Sequence, residues 1–176
     1  MCEPPAGNAV PPFAVARPAL SGGMTDRILF VCLGNICRSP TAEAVTRAKA
    51  EARGLSLSLD SAGTGDWHIG KPPYAPMQQV ARAAGYDLSM LRARQVARPD
   101  FQDFDLIIAM DDDNVAALAT CGPSDRIRKF TDFATGGALS VPDPYFTRDF
   151  EGVLALIETC ADGLLDTLQK GAHQAS

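Results

Sequence analysis

Apolar runs of strand length alternate with stretches of helical pattern along this chain, and that alternation restricts it to few architectures. Arg27 to Val31 reads as a first strand, with Ile28, Leu29, Phe30 and Val31 as its apolar run. Pro40 to about Arg53 follows as a helix carrying Ala42, Ala44, Val45 and Ala48 on its inner side. Leu55 to Asp60 alternates apolar and polar residues and reads as a second strand. Pro73 to about Ala84 is a second helix, stopped by Gly85. Phe104 to Met110, apolar but for Asp105 and ending at Asp111, has the pattern of a parallel strand buried on both faces. Asp111 to Asp113 sit where a helix N-terminus favours acids. Arg126 to Phe130 makes a short strand, and Phe150 to about Leu168 a final amphipathic helix. The expected fold is a single α/β domain: a doubly wound, central parallel four-stranded sheet flanked by helices. Its ligand belongs at the carboxyl ends of the strands.

The segment at the end of the first strand carries chemistry. Val31-Cys32-Leu33-Gly34-Asn35-Ile36-Cys37-Arg38-Ser39-Pro40 runs from the apolar strand into a Ser-Pro helix start, with Pro40 expected at the first helical position. A loop held between a strand end and a helix N-terminus turns its backbone N–H groups inward and makes a concave anion site. Leu33, Gly34, Asn35, Ile36, Cys37 and Arg38 would line it. Gly34 permits close approach of the backbone to an anion, and Asn35 tolerates left-handed geometry. Arg38 adds two parallel donors suited to a phosphate. The same field stabilises a thiolate at Cys32, so one loop supplies both a phosphate cradle and a nucleophile. A strand–turn–helix with one buried cysteine is the plainer reading of the same stretch.

From about Arg27 to about Lys170 the chain resembles the low-molecular-weight protein tyrosine phosphatase family. The loop 31–40 followed by Ala42-Glu43 matches that family's signature. Asp60-Ser61-Ala62-Gly63-Thr64, Asp66-Trp67, Arg92-Ala93-Arg94-Gln95, Ala109-Met110-Asp111 and Asp143-Pro144-Tyr145 follow in the family's order. The resemblance implies phosphotyrosine hydrolysis through a cysteinyl-phosphate, with Cys32 as nucleophile, Arg38 on the phosphate and Asp143 as general acid and then base. Pro142 and Pro144 hold the Asp143 loop extended. Ser39, Ser61 and Asn35 are implied as hydrogen-bonding support for the loop. Trp67, Tyr145 and Phe146 are implied as an aromatic rim that sandwiches the substrate ring. His68 beside Trp67 reads as a surface residue. Ile36 favours the tyrosine branch, because the related protein-arginine phosphatases carry a smaller, polar residue at that rim position. One departure concerns Asn35: where the family usually has a histidine supporting it, this chain has Leu91, so Asn35 needs another partner.

Composition narrows the partners. A net charge of −5 and the lack of any Lys/Arg-rich block argue against a nucleic-acid or membrane-surface role. The five cysteines, Cys2, Cys32, Cys37, Cys121 and Cys160, are spaced too irregularly for a disulfide framework, which suits a reducing cytoplasm. With two histidines, His68 and His173, and no zinc-like spacing, the expected chemistry needs neither metal nor cofactor. Residues 1–23, rich in Pro, Ala and Gly, read as a disordered extension or an over-early start, with Met24 the alternative start and 24–176 the phosphatase domain. The expected partners are phosphotyrosine proteins, with the protein itself a monomer or weakly self-associating through its aromatic rim.

Two rival functions remain at this point. A thiol-dependent arsenate reductase shares the loop and fold but needs resolving cysteines near the end of the third strand, where this chain reads Ala109-Met110-Asp111. A non-catalytic phosphate-binding module would have no need of Cys32, Arg38 and Asp143 together. A redox role falls to Cys37, whose sulfur, at the other end of the curled loop, is placed to form a disulfide with an oxidised Cys32.

Overall fold

The computed structural model describes residues 26–174, so the expectation for residues 1–23 lies outside the described part. The sheet is built from β1 (Asp26–Cys32), β2 (Leu57–Gly63), β3 (Leu106–Ala109) and β4 (Ile127–Lys129), in the order β2-β1-β3-β4. All pairings are parallel, as the alternation of elements implies. Around it lie α1 (Arg38–Ala52), α2 (Ala75–Ala83), α3 (Asp100–Asp103), α4 (Asp112–Ala119), α5 (Pro144–Thr147) and α6 (Phe150–Gln174).

Both faces of β1 are covered, which is why its apolar residues run consecutively rather than alternate. Ile28, Phe30 and Cys32 face one core with Val45 of α1, Met77 of α2, and Ile157 and Leu164 of α6. Leu29 and Val31 face the other, with Phe101, Phe104 and Leu118. Phe30 meets Phe130 with ring centroids 5.3 Å apart. Each fully buried side chain of this size contributes roughly 1.5–3 kcal/mol. The chain runs from β1 out to β2 on one side and then back to β3 on the other. A crevice therefore opens beyond the carboxyl ends of β1 and β3, the switch point where open α/β sheets bind ligands.

Several boundaries differ from the pattern-based reading, each for a physical reason. Helix α1 starts at Arg38, making Pro40 its third residue rather than its first. Proline is tolerated there because amides of the first turn have no ladder partner, and the first ladder bond runs from Thr41 N to Cys37 O at 3.4 Å. Strand β2 continues past Asp60 to Gly63, since pairing with β1 carries it level with Cys32. A Cβ on Gly63 would lie 2.8 Å from Leu33 O, so only glycine lets the strand end sit this close to the loop. Strands β3 and β4 are shorter than expected, β4 ending in a 3-10 turn from Phe130 to Phe133. Helix α6 runs well beyond Leu168.

Candidate active site

The loop 33–37 is pinned on both flanks by backbone hydrogen bonds. Thr64 N and Gly65 N, just after β2, donate to Cys32 O and Leu33 O at 2.9 Å each. On the other flank Tyr74 N, at the start of α2, donates to Ile36 O at 2.8 Å. Cys32, at the end of β1, is 3% exposed and its sulfur lies inside the curl. Asn35 N donates to Cys32 Sγ at 3.3 Å, and Ser39 Oγ lies 3.0 Å from the same sulfur. An amide and a hydroxyl thus converge on one sulfur beside the N-terminus of α1.

Asn35 is the keystone behind the loop. It takes φ 55°, a left-handed conformation that asparagine tolerates better than most residues. Its Nδ2 donates to Ser39 Oγ at 2.8 Å and Ser61 Oγ at 3.0 Å, while its Oδ1 accepts from Arg94 N at 2.9 Å. The partner sought in place of the family's histidine is therefore a backbone amide. Leu91 packs instead beside Ala44, Ala81 and Leu88. Arg94 itself is anchored by Asp60 and Asp100, with Nη1 3.0 Å from Asp100 Oδ2. Among residues expected to cradle phosphate, Asn35 differs: its side chain turns back into the protein and only its amide faces the sulfur. Behind Ser61 stands Glu43, a buried carboxyl absent from the expected set, which Ser61 and Arg47 hydrogen-bond. Burial pushes Glu43 above the usual carboxylate range, with those two partners pulling the other way.

Arg38, 3% exposed, lies across the crevice. Its Nη1 donates to Asp111 Oδ2 at 2.6 Å and to Val141 O at 3.0 Å, and its Nη2 to Asp143 Oδ2 at 3.3 Å. Burial alone would lower the guanidinium's pKa, but Cys32, Asp111 and Asp143 together hold it above the ordinary arginine value. Asp111 was legible as a helix-capping acid, and its Oδ1 does accept from Asn114 N at 2.8 Å. Its second role, orienting Arg38 from 73 residues away, was not foreseen. Asp143 caps α5, accepting from Tyr145 N at 3.1 Å through Oδ1, which leaves Oδ2 toward the crevice and Arg38.

These groups share one cleft, lined by Cys32, Leu33, Gly34, Ile36, Cys37 and Arg38 from the loop, Trp67 and His68 from the turn after β2, and Asp143, Tyr145 and Phe146. Trp67 is 64% and Phe146 74% exposed, so both present aromatic faces at the mouth. Tyr145 stacks edge-on to Phe146 at 5.5 Å and meets Tyr74 at the same separation. His68 is a correction: it is half-buried and lines the cleft against Gly34, whose Cβ would meet the imidazole Cδ2 at 3.0 Å. Cys37 lies in the same wall as a free thiol, pushed up to about 12 by burial, then by Cys32 and Asp143, against the opposing pull of Arg38 and Arg148. No group of His, Cys, Asp and Glu among the described residues could hold a metal ion.

A cysteine contacted by an amide and a hydroxyl beside a helix N-terminus, with an arginine and a loop carboxylate in the same cleft, is an arrangement suited to thiol-based phosphoryl transfer. Residues 27–174 match the low molecular weight phosphotyrosine protein phosphatase family, and the chain belongs to it. It is 45% identical over 149 residues to the low molecular weight protein-tyrosine-phosphatase YfkJ of Bacillus subtilis, spanning 81% of this chain and 96% of that protein. It is 38% identical over 149 residues to PtpA of Staphylococcus epidermidis, spanning 83% and 96%. The crystal structure of YfkJ superimposes with a TM-score of 0.81 at 44% identity, covering 84% of this chain and 97% of that one. A protein tyrosine phosphatase of Entamoeba histolytica, crystallised with Hepes in the active site, gives 0.79 at 37% identity, covering 84% and 99%. Membership makes this protein a phosphatase with phosphoprotein substrates. No helix among the described residues is long and apolar enough to cross a membrane.

Proposed function

We propose that this protein hydrolyses phosphotyrosine in proteins, with Cys32 as nucleophile, Arg38 as phosphate clamp and Asp143 as general acid and base. The convergence of an amide and a hydroxyl on Cys32 Sγ, with Arg38 and Asp143 across the same cleft, carries the reading. The phosphoryl oxygens take the loop amides and the Arg38 fork, displacing Asp143 from Nη2, while Asp111 and Val141 O keep the guanidinium in place. Cys32 thiolate attacks phosphorus, the P–O bond to the ring breaks, and the departing phenolate takes the proton of Asp143. In the second step Asp143, now a carboxylate, removes a proton from water. The oxygen attacks phosphorus, the S–P bond breaks, and inorganic phosphate leaves with the thiolate restored. Loop amides and Arg38 meet the phosphoryl charge throughout, a task a metal performs elsewhere.

Depth selects the substrate. Trp67, Tyr145 and Phe146 line the same cleft as Cys32 and serve as walls for a flat ring, and Ile36 adds an apolar side chain to that lining. A phosphoserine phosphate lies too close to its own backbone to reach the loop. Phosphotyrosine peptides should therefore be hydrolysed with kcat/KM at least ~100-fold above matched phosphoserine peptides, the scale on which misplacement of reacting groups costs rate. Phosphoarginine peptides are the third arm of this assay. Phosphoarginine hydrolysed faster than phosphotyrosine would overturn the reading of Ile36. The thiol relay of an arsenate reductase lacks support at the end of β3, where Ala109 and Met110 are buried apolar residues. The remaining parts of the proposal are a domain beginning near Met24, a cytoplasmic setting, no nucleic-acid partner, and a monomer or weak self-association.

Cys37 is proposed as a redox partner. Burial first, and then the charges of Cys32 and Asp143, raise its pKa to about 12 and keep it a thiol. Hydrogen peroxide oxidises the Cys32 thiolate to a sulfenic acid, itself being reduced to water. That removes the negative charge beside Cys37, whose sulfur then condenses with the sulfenic acid, releasing water and forming a disulfide. After peroxide treatment the wild type should recover activity with dithiothreitol, and Cys37→Ser should recover much less. Equal recovery would reduce Cys37 to a packing residue.

A further inference from the structure

Helix α5 ends on a residue that its backbone disfavours. Arg148 sits at φ 61°, and among the described residues the only other non-glycine with positive φ is Asn35 in the phosphate loop. Asparagine tolerates that region, whereas arginine gains nothing from it that glycine would not supply more easily. Residues held in such a conformation persist where the surroundings repay them. Here the side chain makes three contacts: Nη1 donates to the Tyr74 hydroxyl oxygen at 3.1 Å, and the guanidinium lies 5.5 Å over the Tyr74 ring and 5.1 Å over that of Phe150.

Tyr74 joins that contact to the opposite wall of the cleft. Its amide holds Ile36 O of the phosphate loop at 2.8 Å, and its ring packs 5.5 Å from that of Tyr145. Four-residue α5 carries Asp143 at its N-cap and Arg148 at its C-cap. A helix this short has little stability of its own and takes its position from its contacts. We propose that Arg148 is a positioning residue which, latched onto Tyr74, fixes the distance between Asp143 and the phosphate loop that holds Cys32. The proposal rests on the reading of Asp143 as general acid.

The test uses Arg148→Gly and Tyr74→Phe in the full chain, with melting temperature, kcat and KM measured on a phosphotyrosine peptide and on p-nitrophenyl phosphate. Arg148→Gly relieves left-handed strain and loses exposed ring contacts, so its melting temperature should stay within about 2 °C of wild type. Its kcat on phosphotyrosine should nonetheless fall about 10-fold, with KM within about twofold, because a displaced acid costs rate rather than binding. The loss should be smaller on p-nitrophenyl phosphate, whose leaving group needs less protonation. Tyr74→Phe should lower kcat in the same direction, and the double variant should be no slower than Arg148→Gly, since both remove one latch. Added to Asp143→Asn, Arg148→Gly should change nothing further. Wild-type kcat in Arg148→Gly, or an equal loss on both substrates accompanied by a drop in melting temperature, would overturn the latch. Should Asp143→Asn itself retain wild-type kcat, the acid reading fails instead. A defective Asp143→Asn beside an unimpaired Arg148→Gly rejects the latch alone.

Discussion

Cys32→Ser should remove turnover while leaving anion binding measurable. In the proposed mechanism the loop divides its two tasks between different atoms: the nucleophile is one sulfur, whereas the cradle is made of backbone amides and the Arg38 guanidinium. Replacing the sulfur leaves Ser39 and the Asn35 amide in place, and a hydroxyl is close enough in size to keep the curl intact. A serine hydroxyl, however, stays protonated where a thiolate forms, so the attack step is lost. The expected fall in kcat is at least ~10³-fold, as for other groups whose removal abolishes a covalent step. Inorganic phosphate or vanadate, titrated by calorimetry, should still bind. Arg38→Lys should do nearly as much damage by another route. Lysine cannot span Asp111, Val141 O and a phosphoryl group together, because it offers a point charge in place of a planar fork. A Cys32→Ser variant retaining a tenth of wild-type kcat would rule out the covalent mechanism.

How much of this was legible in the sequence depends on the range over which each feature is encoded. The strand, loop and helix from Ile28 to Val45 are written locally in consecutive residues, so the cradle and the parallel, doubly wound sheet could be read directly. The end of β2 could not, because its extension to Gly63 comes from pairing with β1 rather than from its own alternation. Helix α3 escaped notice since four residues carry no period to detect. The support for Asn35 was visible only as a missing histidine at Leu91. Its replacement, Arg94 N, is a backbone group, and backbone groups leave no mark in side-chain identity. Asp111 illustrates the remaining gap. One carboxylate both caps α4 and orients Arg38, and the local sequence reveals only the cap. Its place in the Ala109-Met110-Asp111 match was the available signal. His68 looked like a surface residue because nothing local says that the turn after β2 folds back over Gly34.

Asp143→Asn should separate chemistry from binding more cleanly than any other change at this site. Asparagine is as good an N-cap as aspartate, so the bond from Tyr145 N and the start of α5 should survive. Arg38 loses its contact at 3.3 Å with Asp143 but keeps the one at 2.6 Å with Asp111, so the phosphate clamp stays oriented and KM should change little. What the amide cannot do is give a proton to the leaving oxygen. The expected loss in kcat is ~10²–10⁴-fold on phosphotyrosine, the range typical of a positioned general acid. The size of that loss should depend on the leaving group. Across a series of aryl phosphates it should shrink as the phenol becomes more acidic, because a stable phenolate departs without being protonated. With the most acidic phenols the second step comes to limit turnover. The remaining defect then reports the base role of the same residue toward water, and an added alcohol that accepts the phosphoryl group should relieve it only in part. A defect of constant size across the whole series would remove Asp143 from the acid role and return it to holding Arg38.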